Sequence, residues 1–151
     1  MAAEPLRLER SVTVGAPPSV VYGLLADIGR RPEWLAELRR VQAPTEPVEV
    51  GTRFEGQSSL LFHDFVGTSE VVRADPGRTL AEQVYLGARF VSAWELDATA
   101  GGTTLRHTVT IDFPDGPLGR LERWVLRRRM GRLQQKSLAA LASFWSGNPA
   151  P

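Results

Sequence analysis

His107 is the residue of this 151-residue chain best placed for acid–base chemistry. It lies in Thr103–Phe113, where Leu105, His107, Val109, Ile111 and Phe113 alternate with Thr104, Arg106, Thr108, Thr110 and Asp112. A period of two marks a strand with one dry and one wet face, and puts the imidazole on the dry one. A neutral imidazole there can exchange a proton or fix a ligand carbonyl by a hydrogen bond. The plainer reading, a packed histidine satisfied by a neighbour, comes first; an orienting group is second and a catalyst third.

Other polar groups fall on matching faces. Phe90, Ser92, Trp94 and Leu96 form the corresponding face of the preceding strand, so Ser92 is a small polar group in an apolar wall. Phe54, Leu60 and Phe62 alternate on an earlier strand. Tyr85 shares a face with Gln83, but Glu82, Val84 and Leu86 leave that strand's orientation open; Tyr85 is a candidate cavity hydroxyl. His63 and Asp64 are adjacent and read as exposed loop polarity, since neighbours in extended chain face opposite ways.

Several chemistries are excluded by composition. There are no cysteines and only two histidines, so thiolate chemistry, disulfides and a Cys- or His-rich metal site are not expected. No nucleophile elbow, phosphate loop or dinucleotide fingerprint occurs, and Gly101-Gly102 reads as a hairpin turn. No metal and no cofactor are expected.

The elements that position these groups follow from patterning and punctuation. Leu6–Val14 alternates as a strand, Pro17-Pro18 opens a helix over Ser19–Asp27, and Gly29 breaks it. Pro32-Glu33-Trp34-Leu35 starts a second short helix. Strands are predicted at Leu38–Ala43, Thr52–Leu61, Phe65–Ala74, Thr79–Leu86, Arg89–Ala98 and Thr103–Phe113. Pro44, Pro47, Gly51, Asp75-Pro76-Gly77, Gly87 and Gly101-Gly102 punctuate them at hairpin spacing. A long helix, Leu118–Ser146, closes the chain. Its stripe of Leu126, Met130, Leu133, Ala140, Leu141 and Phe144 should face the sheet, with Arg128, Arg129 and Arg132 outside. A second stripe, Leu118, Leu121 and Val125, predicts a bend or separate first turn near Trp124–Arg128.

At 42% hydrophobic and 23% charged residues, the chain has the composition of one globular domain, structured over about residues 6–146. The net charge of +1 hides an asymmetry. Residues 117–136 hold seven basic side chains and one acid, leaving 11 basic and 16 acidic residues elsewhere. This basic helix is expected to be a solvated outer face that can make weak contact with a membrane surface or a protein. Nucleic acid is not an expected partner, because no aromatics interleave with Arg128, Arg129, Arg132 and Lys136. The amino-terminal residues lack an apolar signal core, and no run approaches the roughly 20 apolar residues of a membrane span. A cytoplasmic location is the expectation.

The element order, together with Ala16-Pro17-Pro18-Ser19-Val20-Val21-Tyr22, Pro32-Glu33-Trp34, Val50-Gly51-Thr52-Arg53-Phe54, Trp94-Glu95-Leu96 and Gly101-Gly102-Thr103, resembles the START-like, or SRPBCC, superfamily. Within it the chain is most similar to the bacterial polyketide cyclase/dehydrase-type group, over nearly its whole length. The resemblance implies an α+β helix-grip fold: a curved seven-stranded antiparallel sheet wrapped round a long C-terminal helix, with two short helices after the first strand. It also implies an apolar cavity between sheet and helix, here lined by Phe54, Tyr85, Phe90, Ser92, Trp94, His107, Val109, Leu126 and Met130. The leading expectation is binding of a hydrophobic small molecule: a lipid, a polyketide-like compound or an isoprenoid. The alternatives are an aromatase/cyclase-type enzyme and an interaction protein using the basic helix.

Overall fold

The computed structural model describes residues 5–60, 63–85, 89–112 and 120–145. Its elements, in chain order, are β1 (Leu6–Val14), α1 (Pro18–Ala26), a 3₁₀ helix (Ile28–Glu33), β2 (Leu38–Gln42), β3 (Arg53–Leu60), β4 (His63–Asp75), β5 (Thr79–Tyr85), β6 (Arg89–Thr99), β7 (Gly102–Asp112) and α2 (Arg120–Ser143). The seven strands form one antiparallel sheet in the order β1-β7-β6-β5-β4-β3-β2. β2 to β7 are therefore a meander, and β1 returns to pair with β7. This is the α+β helix-grip arrangement that the resemblance implies.

Local chemistry explains the boundaries. Pro17 caps α1 and Pro18 occupies its first turn, where a missing N–H costs nothing. Val21, Tyr22, Leu24 and Leu25 then turn inward. The second short helix differs from expectation: it begins at Ile28, incorporates Gly29, and ends at Glu33. Gly29 does not interrupt the helical path there; the chain tightens into 3₁₀ geometry, which tolerates Pro32 inside so short a segment. His63 and Asp64 are also not loop residues, since β4 starts at His63 and the Leu60↔His63 pair closes the β3–β4 ladder. Phe62, Leu86, Phe113 and Leu118 lie outside the described residues. Gly102 has φ of 155°, and a Cβ built there would sit 2.0 Å from the Val14 carbonyl oxygen. Only glycine fits that approach of β7 to the end of β1.

α2 runs unbroken from Arg120 to Ser143, without the expected separate first turn. Leu121 remains exposed instead of being folded against the sheet. Leu126 and Met130 pack against Leu6, Phe90, Val109 and Ile111, while Arg128, Arg129 and Arg132 are exposed. Farther along, the inward positions are Gln134, Ser137, Leu138 and Leu141. Leu133 is half-buried and Phe144 is exposed, so the buried stripe of the second half is partly polar. The larger core cluster joins α1 to Trp34, Leu80, Trp94, Leu105, Leu138 and Leu141.

Candidate functional site

A cavity of about 100 Å³ lies between the sheet and α2. Its sheet wall follows the period of two: Phe54, Gly56 and Ser58 on β3; Gly67 and Ser69 on β4; Glu82 and Val84 on β5; Phe90, Ser92 and Trp94 on β6; His107 and Val109 on β7. Met130 of α2 covers it, and Arg31, Leu35, Glu37 and Leu38 close one side. Small side chains at inward positions make the room. Gly56 and Gly67 are directly opposed across β3 and β4, and Ser69 faces Phe54 in the same ladder. Gly56 has no space to spare, since a Cβ there would meet Leu38 Cδ1 at 2.8 Å. The volume is below the roughly 300–1,000 Å³ of ordinary small-molecule pockets. A larger ligand would need movable walls, and half-buried Met130 is one.

Seven of the nine residues proposed from sequence meet at this cavity: Phe54, Phe90, Ser92, Trp94, His107, Val109 and Met130. Leu126 packs next to it, against Leu6, Phe90, Val109 and Ile111. Tyr85 does not reach it. Glu82 and Val84 take the inward positions of β5, so the alternation turns Tyr85 outward, where it is 54% exposed and bonded to Gln83.

His107 is 6% exposed and its ring is fully engaged. Gln134 Nε2 donates to the His107 carbonyl at 3.0 Å and approaches Nδ1 at 3.2 Å. Because the carbonyl can only accept, the amide nitrogen of Gln134 must point this way, making Nδ1 an acceptor. The ring proton then sits on Nε2, 2.8 Å from Ser92 Oγ, to which it donates. Burial, and secondarily the charge of Arg31, lowers the imidazole pKa to about 3. At neutral pH it is an uncharged, hydrogen-bonded group.

Sequence patterning missed the second polar feature. Arg31, in the 3₁₀ helix, is 2% exposed and forms a two-pronged ion pair with Glu82 of β5, which is 3% exposed. Its Nε and Nη2 also donate to the Leu25 carbonyl at 3.1 and 2.9 Å. The pair anchors the short helix to the sheet and places its polar atoms at the cavity edge. Glu37 reaches the same edge from the turn before β2. Burial raises its carboxyl above the ordinary carboxylate range, against smaller opposing effects of a hydrogen bond from its own backbone N–H and of the Arg31 charge. Among the described residues no group of three His, Asp or Glu side chains is placed to hold a metal ion.

The family described as polyketide cyclase / dehydrase and lipid transport matches residues 5–143. The chain belongs to this family. Solved structures similar to this polyketide cyclase/dehydrase-family protein include the Zhui aromatase/cyclase of a Streptomyces species, at a TM-score of 0.75 and 19% identity over 91% of this chain and 92% of that one. The di-domain ARO/CYC StfQ of the steffimycin biosynthetic pathway matches at 0.77 and 16% identity, over 94% of this chain and 51% of that one. Ara h 8.0201 matches at 0.72 and 14% identity, over 95% and 99%. At these identities the likeness shows the shared fold. A sequence comparison with curated proteins gives no match.

Proposed function

We propose that this family member binds an uncharged or weakly polar apolar small molecule in the cavity between sheet and α2. The observation that carries the proposal is the wall itself. Phe54, Phe90, Trp94, Val109 and Met130 give apolar contact, while Ser58, Gly67 and Ser69 hold space that larger side chains would fill. Affinity would come from burial of apolar surface, at about 25 cal/mol per Å² before the costs of ordering the ligand. His107 would orient a ligand through the Ser92 hydroxyl it already engages. Its neutral, doubly bonded ring supports an orienting over a proton-shuttling role.

The aromatase/cyclase reading draws on the Zhui and StfQ likenesses. It would require an interior acid or base that changes protonation during turnover. Native mass spectrometry of the purified protein tests the binding reading: a co-purified small molecule released on unfolding supports it. Conversion of a poly-β-ketone by wild type, lost in His107→Gln at unchanged affinity and melting temperature, would favour the enzyme instead.

A separate contact surface is supported by α2, where exposed Leu121 and Trp124 stand among arginines and the Arg128 guanidinium lies 5.0 Å from the Trp124 ring centroid. An anionic surface is the partner that suits this face. Salt-sensitive binding to anionic vesicles tests it.

A further inference from the structure

The charges around the cavity are unevenly committed. Arg31 is held by both oxygens of Glu82 and by the Leu25 carbonyl, so its positive charge is neutralised within the wall. His107, on the opposite wall, carries no charge and is bonded through both ring nitrogens. Glu37 differs from both. Glu37 lines the cavity with Arg31; its own backbone N–H hydrogen-bonds its carboxyl, and among the described residues no other side chain hydrogen-bonds to it. β3, β4 and β6 contribute no ionisable group to the lining, and α2 contributes Met130. Arg39 and Arg40, the next cations along β2, are exposed. Arg31, Glu82 and His107 are thus the titratable groups that face Glu37.

The chemical consequence follows from counting charge. With Arg31 and Glu82 cancelling and His107 neutral, an ionised Glu37 would leave the cavity with one uncompensated negative charge. A ligand carboxylate entering it would add a second, with no free cation to meet it. A carbonyl oxygen, in contrast, is an acceptor that complements the carboxylic acid form of Glu37.

We infer that Glu37 selects the polar end of the ligand: its carboxylic acid donates a hydrogen bond to a carbonyl oxygen of an uncharged apolar ligand, and the site refuses a fatty-acid carboxylate. The inference rests on the cavity-binding reading and adds to it the ligand's chemical class and a pH dependence. Ionisation of Glu37 removes the donor, so carbonyl ligands bind more weakly as pH rises through its titration. Burial places that titration above the usual carboxylate range.

Methyl laurate, laurate and laurylamine share one alkyl chain and separate these possibilities by calorimetry on the full chain at a series of pH values. The ester should bind at least about fivefold more tightly than laurate at neutral pH, with affinity falling as pH rises. Glu37→Gln retains an N–H donor of similar shape and should keep ester binding while abolishing its pH dependence. Glu37→Leu should bring ester affinity down to that of a hydrocarbon probe of equal length. Laurate binding as well as the ester, or laurylamine binding best and tightening with pH, would overturn the inference and leave cavity binding standing. Failure of every probe, the hydrocarbon included, would overturn both. Melting temperatures of the two variants within a few degrees of wild type would show that the fold is intact.

Discussion

The imidazole of His107 lies flat on the indole of Trp94, with ring centroids 3.7 Å apart and planes 17° from parallel. The two residues are direct cross-strand partners on β7 and β6, so register alone brings the rings together. Trp34 meets the same indole edge-on at 5.3 Å, which ties the start of the β2 segment to this wall. The cavity's central polar group is thus held by a stack, by Ser92 and by Gln134. Its position is set before any ligand arrives.

The lowered pKa of His107 makes stability depend on pH in a definite direction. Unfolded, this side chain titrates near pH 6.5; folded, it stays neutral down to about 3. Below about pH 6.5 the unfolded state binds the proton and the native state does not, so stability falls as pH falls. The loss attributable to this group approaches ~1.4 kcal/mol per pH unit until the folded pKa is reached. Urea unfolding at a series of pH values should give a shallower acid slope for His107→Gln than for wild type. Equal slopes would mean that the imidazole is hydrated in the native protein.

Breaking the Arg31–Glu82 pair on one side should cost more than removing it altogether. Glu82→Gln leaves a guanidinium buried without its counter-charge, for an expected loss of about 3–5 kcal/mol. The double variant Arg31→Met with Glu82→Leu should recover a substantial part of that loss. Chemical denaturation of the three proteins measures both effects. A double variant no more stable than Glu82→Gln would show that the Leu25 carbonyl, stripped of its two donors, dominates.

Gly102→Ala tests the close approach of β7 to the end of β1. The added Cβ would lie 2.0 Å from the Val14 carbonyl oxygen, so the backbone must shift. A loss of about 2 kcal/mol or more is expected, well beyond the glycine-to-alanine entropy gain of about 0.4–1 kcal/mol. Thermal unfolding reads the difference, and a neutral outcome would mean that the turn relaxes freely.

What could be seen in the sequence is what alternates. β1 runs over Leu6–Val14, as its pattern required, and the alternation around His107 put that residue inside with Val109. What stayed hidden was polar or small. Gln134 and Ser137 occupy the buried face of α2, but a stripe traced through apolar residues skips them and takes in Phe144, which is exposed. Arg31 and Glu82 are 51 residues apart, and each alone looks like ordinary surface charge. Ser58, Gly67 and Ser69 define the cavity by the volume they lack, which a hydrophobicity pattern does not register. Tyr85 could not be placed because its strand alternates weakly, and only the sheet shows that Glu82 and Val84 face inward.

Filling the cavity shows whether a ligand binds between the sheet and α2. Ser69 lies on the inward face of β4 between Phe54 and Val84, so Ser69→Leu should occupy the space without removing a hydrogen bond seen in the structure. Titration of wild type and this variant with a hydrophobic fluorophore, at matched concentrations and below both melting temperatures, gives the comparison. Wild type is predicted to show saturable emission at one dye per chain and a ligand-dependent rise in melting temperature. Ser69→Leu is predicted to stay folded and lose both. Equal binding by the two proteins would place the dye elsewhere, and would contradict the assignment of this cavity as the ligand site.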